Sequence, residues 1–513
     1  MIISLTRGME TLEKPITAKP GWSLEGRAAA LERFLERHQT LVLALWSLAY
    51  FAGTALRALG KPFWYDEILT LLEARQPSLS ASLHALGDVD WMPPASHVVF
   101  YLTDKLAGHG EIAFRIPVMI AFWIFCLCLF FFARRRVSFY FASMALLLPY
   151  ASAFQSYSYE ARSYAFVLAF CGIALVSWQA AAERTRRAWP LVGLALGIAG
   201  AISFQYWGVL IGLPLAAAEA YRDYHRRRID WPIWIAFALG ATPLAAFVFV
   251  ILRGLRSWTP YAELRATPFD YLDFYRTEFR VYFAFAIPAA LLLAAWFVLG
   301  GRKEKPSGNE PARIPVHEWI AAAILLLTPV AAVSLELAIP PHAFSNRYAA
   351  PAVAGYALLG SFLAARWAGK RAAVGLACAL AALAPFAYLM TQPEHFKSPF
   401  QRLPGLEQRL ERGPVVMDDL IGYLEIWYYT RERLKPSLIF VKAARKQTFP
   451  LREFAKLGVP VIAYRDFAAP GKEFLFYPSR RGGLRKRILE DGGTLETVES
   501  SAHHSLLKAH IAP

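Results

Sequence analysis

Apolar runs of near-spanning length recur along the chain from Leu41 to about Met390, separated by short polar and basic stretches. A spanning helix needs about 20 mostly apolar residues. The first runs that approach this are Leu41–Leu59, Ile112–Ala133, Phe139–Phe154, Ser163–Ala182 and Ala188–Ser203. Tyr206–Ala220, Trp231–Leu252, Val281–Leu299, Trp319–Ile339, Tyr348–Ala365 and Ala372–Met390 follow. The pattern predicts a mostly α, polytopic membrane protein of about eleven transmembrane helices. Within it, Ala188 to Ala220 is one apolar run between two basic flanks. Two short helices turning at Phe204-Gln205-Tyr206 keep both flanks on one side, with a re-entrant pair as the alternative.

The polar segments divide the chain further. Residues 1–40 form a polar, basic N-terminal segment, and 41–390 form the membrane domain, with a long first loop at 60–111. That loop carries a weakly amphipathic stretch from Pro77-Ser78 to Leu86, then Trp91-Met92-Pro93-Pro94, then a second amphipathic stretch from Val98 to Leu106. Such pieces lie on bilayer surfaces. Beyond Thr391 the hydropathy falls. Strands are predicted at Gly413–Met417, Ser437–Val441, Val459–Ala463 and Glu473–Tyr477, with a helix at Leu420–Thr430. Residues 391–513 therefore read as a small α/β domain with its own core.

Composition agrees: 56% of residues are hydrophobic and 18% charged, against about 25% charged in soluble domains. The net charge of +16 is not a nucleic-acid footprint, because the basic residues fall in short blocks between apolar runs. These are Arg134–Arg136, Arg184–Arg187, Arg222–Arg228, Arg302–Lys305 and Arg366–Arg371. Read as cytoplasmic signals, they put the N-terminus inside and the C-terminal domain outside. The first apolar run then acts as an uncleaved signal anchor. Cys126, Cys128, Cys171 and Cys378 all lie in apolar runs, with no spacing for zinc or an obvious disulfide.

With this topology the ionisable residues near the spans collect at the outer level. Asp66 and Glu67, in Trp64-Tyr65-Asp66-Glu67, follow the first span, and Arg115 enters the second. Glu160, Arg162 and Tyr164 lead into the fourth, Glu336 leaves the ninth, and His342, Arg347 and Tyr348 open the tenth. Ionisable groups at membrane depth are functional candidates. One carboxylate to accept a proton and several arginines to hold a phosphate suffice for glycosyl transfer from a lipid phosphate. A divalent ion (Mg or Mn) on Asp66 and Glu67 is a further candidate for the cation work. Read alone, Asp66-Glu67 also fits a polar helix start, and Arg115 a snorkelling anchor.

Five motifs carry a family resemblance. They are Trp64-Tyr65-Asp66-Glu67, Pro93-Pro94, Arg115-Ile116-Pro117, Glu160-Ala161-Arg162-Ser163-Tyr164, and Asn346-Arg347-Tyr348 with Pro351. With these the chain resembles the GT-C glycosyltransferases, in the branch of protein O-mannosyltransferases, the aminoarabinose transferase of lipid A and bacterial family 39 proteins. The resemblance implies an inner-membrane enzyme with a polyprenyl-phosphate-linked sugar donor and a periplasmic active site and C-terminal domain. It makes Asp66 the catalytic carboxylate with Glu67 its neighbour. Arg115, Glu160, Arg162, Tyr164, Arg347 and Tyr348 become the substrate- and phosphate-binding candidates. The acceptor is a glycolipid, polysaccharide or protein hydroxyl. Many members carry His-Tyr where this chain has Gln205-Tyr206. The competing functional classes are a transporter or flippase of lipid-linked sugars, which calls for polar groups at the midplane, and a non-catalytic scaffold.

Overall fold

The fold comes from a computed structural model that describes residues 24–89, 92–108, 110–183, 186–258, 267–281, 313–338, 345–369, 371–392, 403, 405–442, 451–478, 483–500 and 505–512. Helix α1 (Leu24–Arg37) leads into α2 (Gln39–Gly60). Three short helices follow, α3 (Tyr65–Ala74), α4 (Leu79–Val89) and α5 (Ala95–Ala107), before α6 (Glu111–Arg134). The two amphipathic stretches expected in the first loop are α4 and α5. Helix α3, which carries Asp66 and Glu67, is an addition to the expected plan.

Next comes α7 (Phe139–Leu147), continued by 3-10 turns at Leu148–Ala151 and Ala153–Ser158. It is followed by α8 (Tyr164–Glu183) and α9 (Ala188–Phe204). The chain breaks at an extended Gln205, where the sequence placed a turn, and continues as a 3-10 turn, Tyr206–Ile211, into α10 (Gly212–Arg226). Helix α11 (Trp231–Trp258) and the short α12 (Asp270–Glu278) come before α13 (Val316–Leu326) and α14 (Thr328–Ala338). A 3-10 turn at Asn346–Ala349, then α15 (Ala352–Ala368) and α16 (Ala372–Thr391), complete the bundle.

Among the described residues α2, α6, α8, α11 and α16 are long and apolar enough to cross a membrane. The bundle is therefore that of a polytopic membrane protein. Shorter apolar helices occupy Phe139–Ala151, Ala188–Phe204 and Ala352–Ala368. The expected span at Trp319–Ile339 is a bent pair, α13 and α14, at 49°. Pro329 explains the break: it has no N–H for the carbonyl of Leu325, and the Thr328 hydroxyl donates to that carbonyl instead at 2.8 Å. The expected span at Tyr206–Ala220 also differs, since it opens with a 3-10 turn and its helix runs on to polar Arg226. The expected span at Val281–Leu299 lies almost wholly outside the described residues.

Small residues let the helices approach. A Cβ on Gly197 of α9 would stand 2.7 Å from the backbone nitrogen of Ala174 on α8. One on Gly355 of α15 would stand 2.2 Å from that of Leu326 on α13. Such contacts are the usual basis of helix packing in membranes.

The basic blocks gather at one end of the bundle. Arg134 pairs with Glu36 of α1 at 2.9 Å, and Arg136 with Glu318 of α13 at 2.5 Å. Arg187 and Arg222 share Asp230, at 2.7 and 2.6 Å. Helices α3, α4 and α5 occupy the opposite end, where α2 finishes and α6 begins.

The C-terminal part contains α17 (Leu406–Arg412), β1 (Val415–Met417), α18 (Leu420–Tyr429), β2 (Leu438–Lys442) and α19 (Leu451–Lys456). It continues with β3 (Val461–Ala463), α20 (Tyr464–Phe467), β4 (Glu473–Tyr477), α21 (Leu484–Glu490), β5 (Thr494–Ser500) and β6 (Ser505–His510). The sheet order is β3-β2-β1-β4-β6-β5, parallel through β4 and antiparallel beyond it. The pleat sends alternate residues to two cores. Val416, Val441 and Phe476 join Ile488 on one face, while Val415, Met417 and Phe440 on the other belong to the core of the membrane bundle. The sheet is thus seated on the bundle through α18.

Candidate active site

The first turn of α3 organises the site. Trp64 is extended, and Glu67 reaches back toward its N–H at 3.5 Å. Acidic residues in a first helical turn complement the helix dipole. All ten residues of α3 are buried, so its two carboxylates need partners.

Glu67 and Arg115 satisfy each other. The Arg115 guanidinium donates to both Glu67 oxygens, each at 2.8 Å, and Ala161 N–H adds a third bond at 2.8 Å. Arg115 also donates to the carbonyls of Ala58 and Lys61, at 2.8 and 2.7 Å. Both side chains have 0% exposure. This pair joins α2, α3, α6 and the turn before α8, and no face of it is open to a substrate.

Asp66 points the other way, toward arginines distant in sequence. Arg347 donates to its Oδ2 at 2.7 Å, and Arg162 Nε stands 3.7 Å from the same oxygen. Arg162 is fixed by bonds to the Thr70 hydroxyl at 2.9 Å and the Asp66 carbonyl at 3.2 Å. Arg347 lies over the Tyr164 ring, 5.7 Å from its centroid. Side-chain exposure is 13% for Asp66 and 31% for Arg347, so a ligand can reach this cluster. Burial pushes the Asp66 carboxyl up, but Arg162 and Arg347 together outweigh it and hold the group below the usual carboxylate range.

The remaining candidates frame this centre. Glu160 pairs with Lys61, itself over the ring of Tyr159. Tyr348 stacks on Trp207, with ring centroids 5.4 Å apart and planes 12° off parallel. Trp207 is thereby part of the site wall. Gln205 at the departing turn is buried, its amide 3.8 Å from the Met92 sulfur. Glu336 is buried in α14, and His342 lies outside the described residues.

Further neighbours complete the frame, and of these Glu425 and Tyr429 were not singled out in the sequence. Asn346 donates to Glu278 at 2.9 Å, which orients the segment that carries Arg347. From the C-terminal domain, Glu425 of α18 accepts the Tyr65 N–H at 3.2 Å. The Tyr429 hydroxyl accepts the Phe63 N–H at 2.5 Å and donates to Glu111. Two side chains of α18 therefore hold the strand-like entry to α3. A Glu-Ile-Trp-Tyr-Tyr run gave no signal for this, because the partners of Glu425 and Tyr429 lie 318 to 366 residues away.

A divalent ion finds no cradle in Asp66 and Glu67. Both Glu67 oxygens are already filled by Arg115 and Ala161, and the nearest neighbours of Asp66 are cations. Among the described residues no group of three or more His, Cys, Asp or Glu side chains is arranged for a metal.

Among solved structures, the chain is similar to ArnT from Cupriavidus metallidurans in the apo state. The TM-score is 0.50 at 12% identity, over 92% of this chain and 98% of that one. The two chains share a fold over nearly their whole length. A structure of the same ArnT bound to undecaprenyl phosphate aligns at TM-score 0.44 and 13% identity, over 92% and 98% of the two chains. No protein-family model and no curated protein sequence matches the chain. A shared fold hosts the site without naming its chemistry, which rests on this chain's own residues.

Proposed function

We propose that the protein is a glycosyltransferase that moves a sugar from a polyprenyl-phosphate donor to an acceptor hydroxyl on the extracytoplasmic face of the inner membrane. The observation that carries this reading is the convergence of Arg162 and Arg347 on Asp66 at a reachable edge of a GT-C bundle. The C-terminal domain shares that face in this reading, and the basic end faces the cytoplasm.

In the mechanism, the donor phosphate takes the place of Asp66 on the Arg347 fork and is held there and on Arg162. The released Asp66 carboxylate accepts the proton of the acceptor hydroxyl. The acceptor oxygen forms a bond to the anomeric carbon as the bond from that carbon to the phosphate oxygen breaks. The polyprenyl phosphate leaves with the electron pair, its charge stabilised by the two guanidiniums. A single displacement inverts the anomeric centre. Arg115 and Glu67 set the position of α3 and touch no reacting atom. The cation work falls to arginine, with no step assigned to a metal.

The test is mass spectrometry of envelope glycolipids and glycoproteins from host cells with and without the gene. A sugar-sized mass present only in the wild type identifies sugar and acceptor together. Loss of that mass with the lipid-linked sugar trapped on the cytoplasmic leaflet, instead of accumulating unused on the outer one, would replace the transferase with a flippase.

A further inference from the structure

At the end of the bundle opposite Asp66, the α10–α11 junction carries more cationic charge than its acids neutralise. Asp230 is already shared by Arg187, Arg222 and Arg226, the last at 3.7 Å. Asp223 accepts from the Trp234 indole at 2.8 Å and from the Asp230 N–H at 3.2 Å. Among the described residues, neither Arg227 nor Arg228 has a carboxylate partner.

These arginines line two adjoining cavities. One, of about 640 Å³, is bordered by Tyr224, His225, Arg227 and Arg228. The other, of about 520 Å³, is bordered by Arg187, Arg226, Arg228 and Trp231. Ligand pockets run to about 300–1,000 Å³. Apolar side chains flank them at the same level, since Trp231 opens the spanning helix α11 and Ile229, Trp231 and Trp189 are all exposed. Exposed tryptophan at the end of a spanning helix marks the headgroup layer.

The backbone supplies an independent observation. Helix α10 terminates at Arg227 in the left-handed region, with φ of 51°. Among the described residues it is the non-glycine residue with positive φ. Glycine normally fills this position because a Cβ is strained there. Strained residues of this kind concentrate at binding sites. The conformation directs an uncommitted arginine toward the cavity that Arg228 also lines.

We infer that this junction is a binding site for the phosphate headgroup of an anionic membrane phospholipid. The arginines bind the phosphate, and the acyl chains run along α11 beside Trp231. A topology signal requires only net positive charge on one side. It requires neither a cavity nor a strained Arg227.

The test uses the full-length protein in detergent and follows its melting temperature during titration with cardiolipin, with phosphatidylcholine, and with inorganic phosphate at the same phosphorus concentration. Cardiolipin should raise the midpoint while the other two leave it unchanged. Each arginine at a membrane surface is worth about fivefold in affinity, so Arg227→Gln with Arg228→Gln should weaken the cardiolipin response about 25-fold. Arg227→Gly separates binding from folding: it should raise the midpoint without lipid and reduce the response to it. An unchanged cardiolipin response in the double variant would overturn the site, and an equal response to inorganic phosphate would overturn the lipid as its ligand.

Discussion

Glu67→Ala tests whether Glu67 is structural or chemical. The substitution leaves Arg115, at 0% side-chain exposure, with its charge uncompensated in the interior. Breaking a buried ion pair from one side costs about 3–5 kcal/mol. The Ala161 N–H loses its acceptor as well, a further cost of about 1–3 kcal/mol. Since Arg115 keeps its bonds to the Ala58 and Lys61 carbonyls, the lower part of the combined range, about 4 kcal/mol, is expected. Removing both charges with Glu67→Leu and Arg115→Met should recover much of this, because a buried pair replaced by apolar residues of similar volume is often near neutral. The assay is reversible unfolding in mixed SDS and mild-detergent micelles, with Glu67→Leu, Arg115→Met and the double variant closing a thermodynamic cycle beside Glu67→Ala. A Glu67→Ala protein of wild-type stability but without transferase activity would refute the structural assignment and return Glu67 to the chemistry.

Arg347→Ala should change the pH dependence of activity. The lowered pKa of Asp66 means that its ion pairs contribute fully above the usual carboxylate value of about 3.9 and are lost only as pH falls through the lower folded value. With Arg347 removed, burial opposes Arg162 alone, so the acidic limb of a pH–rate profile should move to higher pH; an unmoved limb would detach that limb from Asp66. Glu425→Ala and Tyr429→Phe should lower kcat with little change in donor KM, because they remove the acceptors that hold the entry to α3 and do not touch the arginines. Steady-state kinetics with a purified donor reads this split, and a rise in KM alone would place these residues in substrate binding instead.

The periodic apolar runs made the helices legible because spanning length and basic flanks are strong local signals. The turn at Phe204-Gln205-Tyr206 was readable for the same reason. Helix α3 was not: Tyr65, Ile68, Leu69 and Leu72 do have helical spacing, but the segment is only ten residues long and lies within a stretch read as one long loop. The strands through β4 show compact β-branched or aromatic runs. By contrast, β5 is a mostly exposed edge strand bearing Glu496 and Glu499, and it pairs with β6 through a bulge, so neither gave a clean alternation. In the site, residue types and loop positions picked out Asp66, Arg162 and Arg347, which the fold brings together. What sequence left undivided was the adjacent pair Asp66-Glu67. Successive positions on a helix point about 100° apart, so one carboxylate faces Arg115 in the interior and the other faces buried Arg162 and the more open Arg347. The roles of Glu425 and Tyr429 depend on packing of α18 against α3 and had no local signature.

The most direct test of the central claim is turnover by Asp66→Asn, with donor affinity measured on the same preparation. Asparagine keeps the shape and can still accept from Arg347, so the protein should remain folded. Loss of the proton acceptor should lower kcat by about a hundredfold or more, while donor binding holds or tightens because the two arginines are freed from a competing carboxylate. Turnover near the wild-type rate in a folded Asp66→Asn protein would contradict the account.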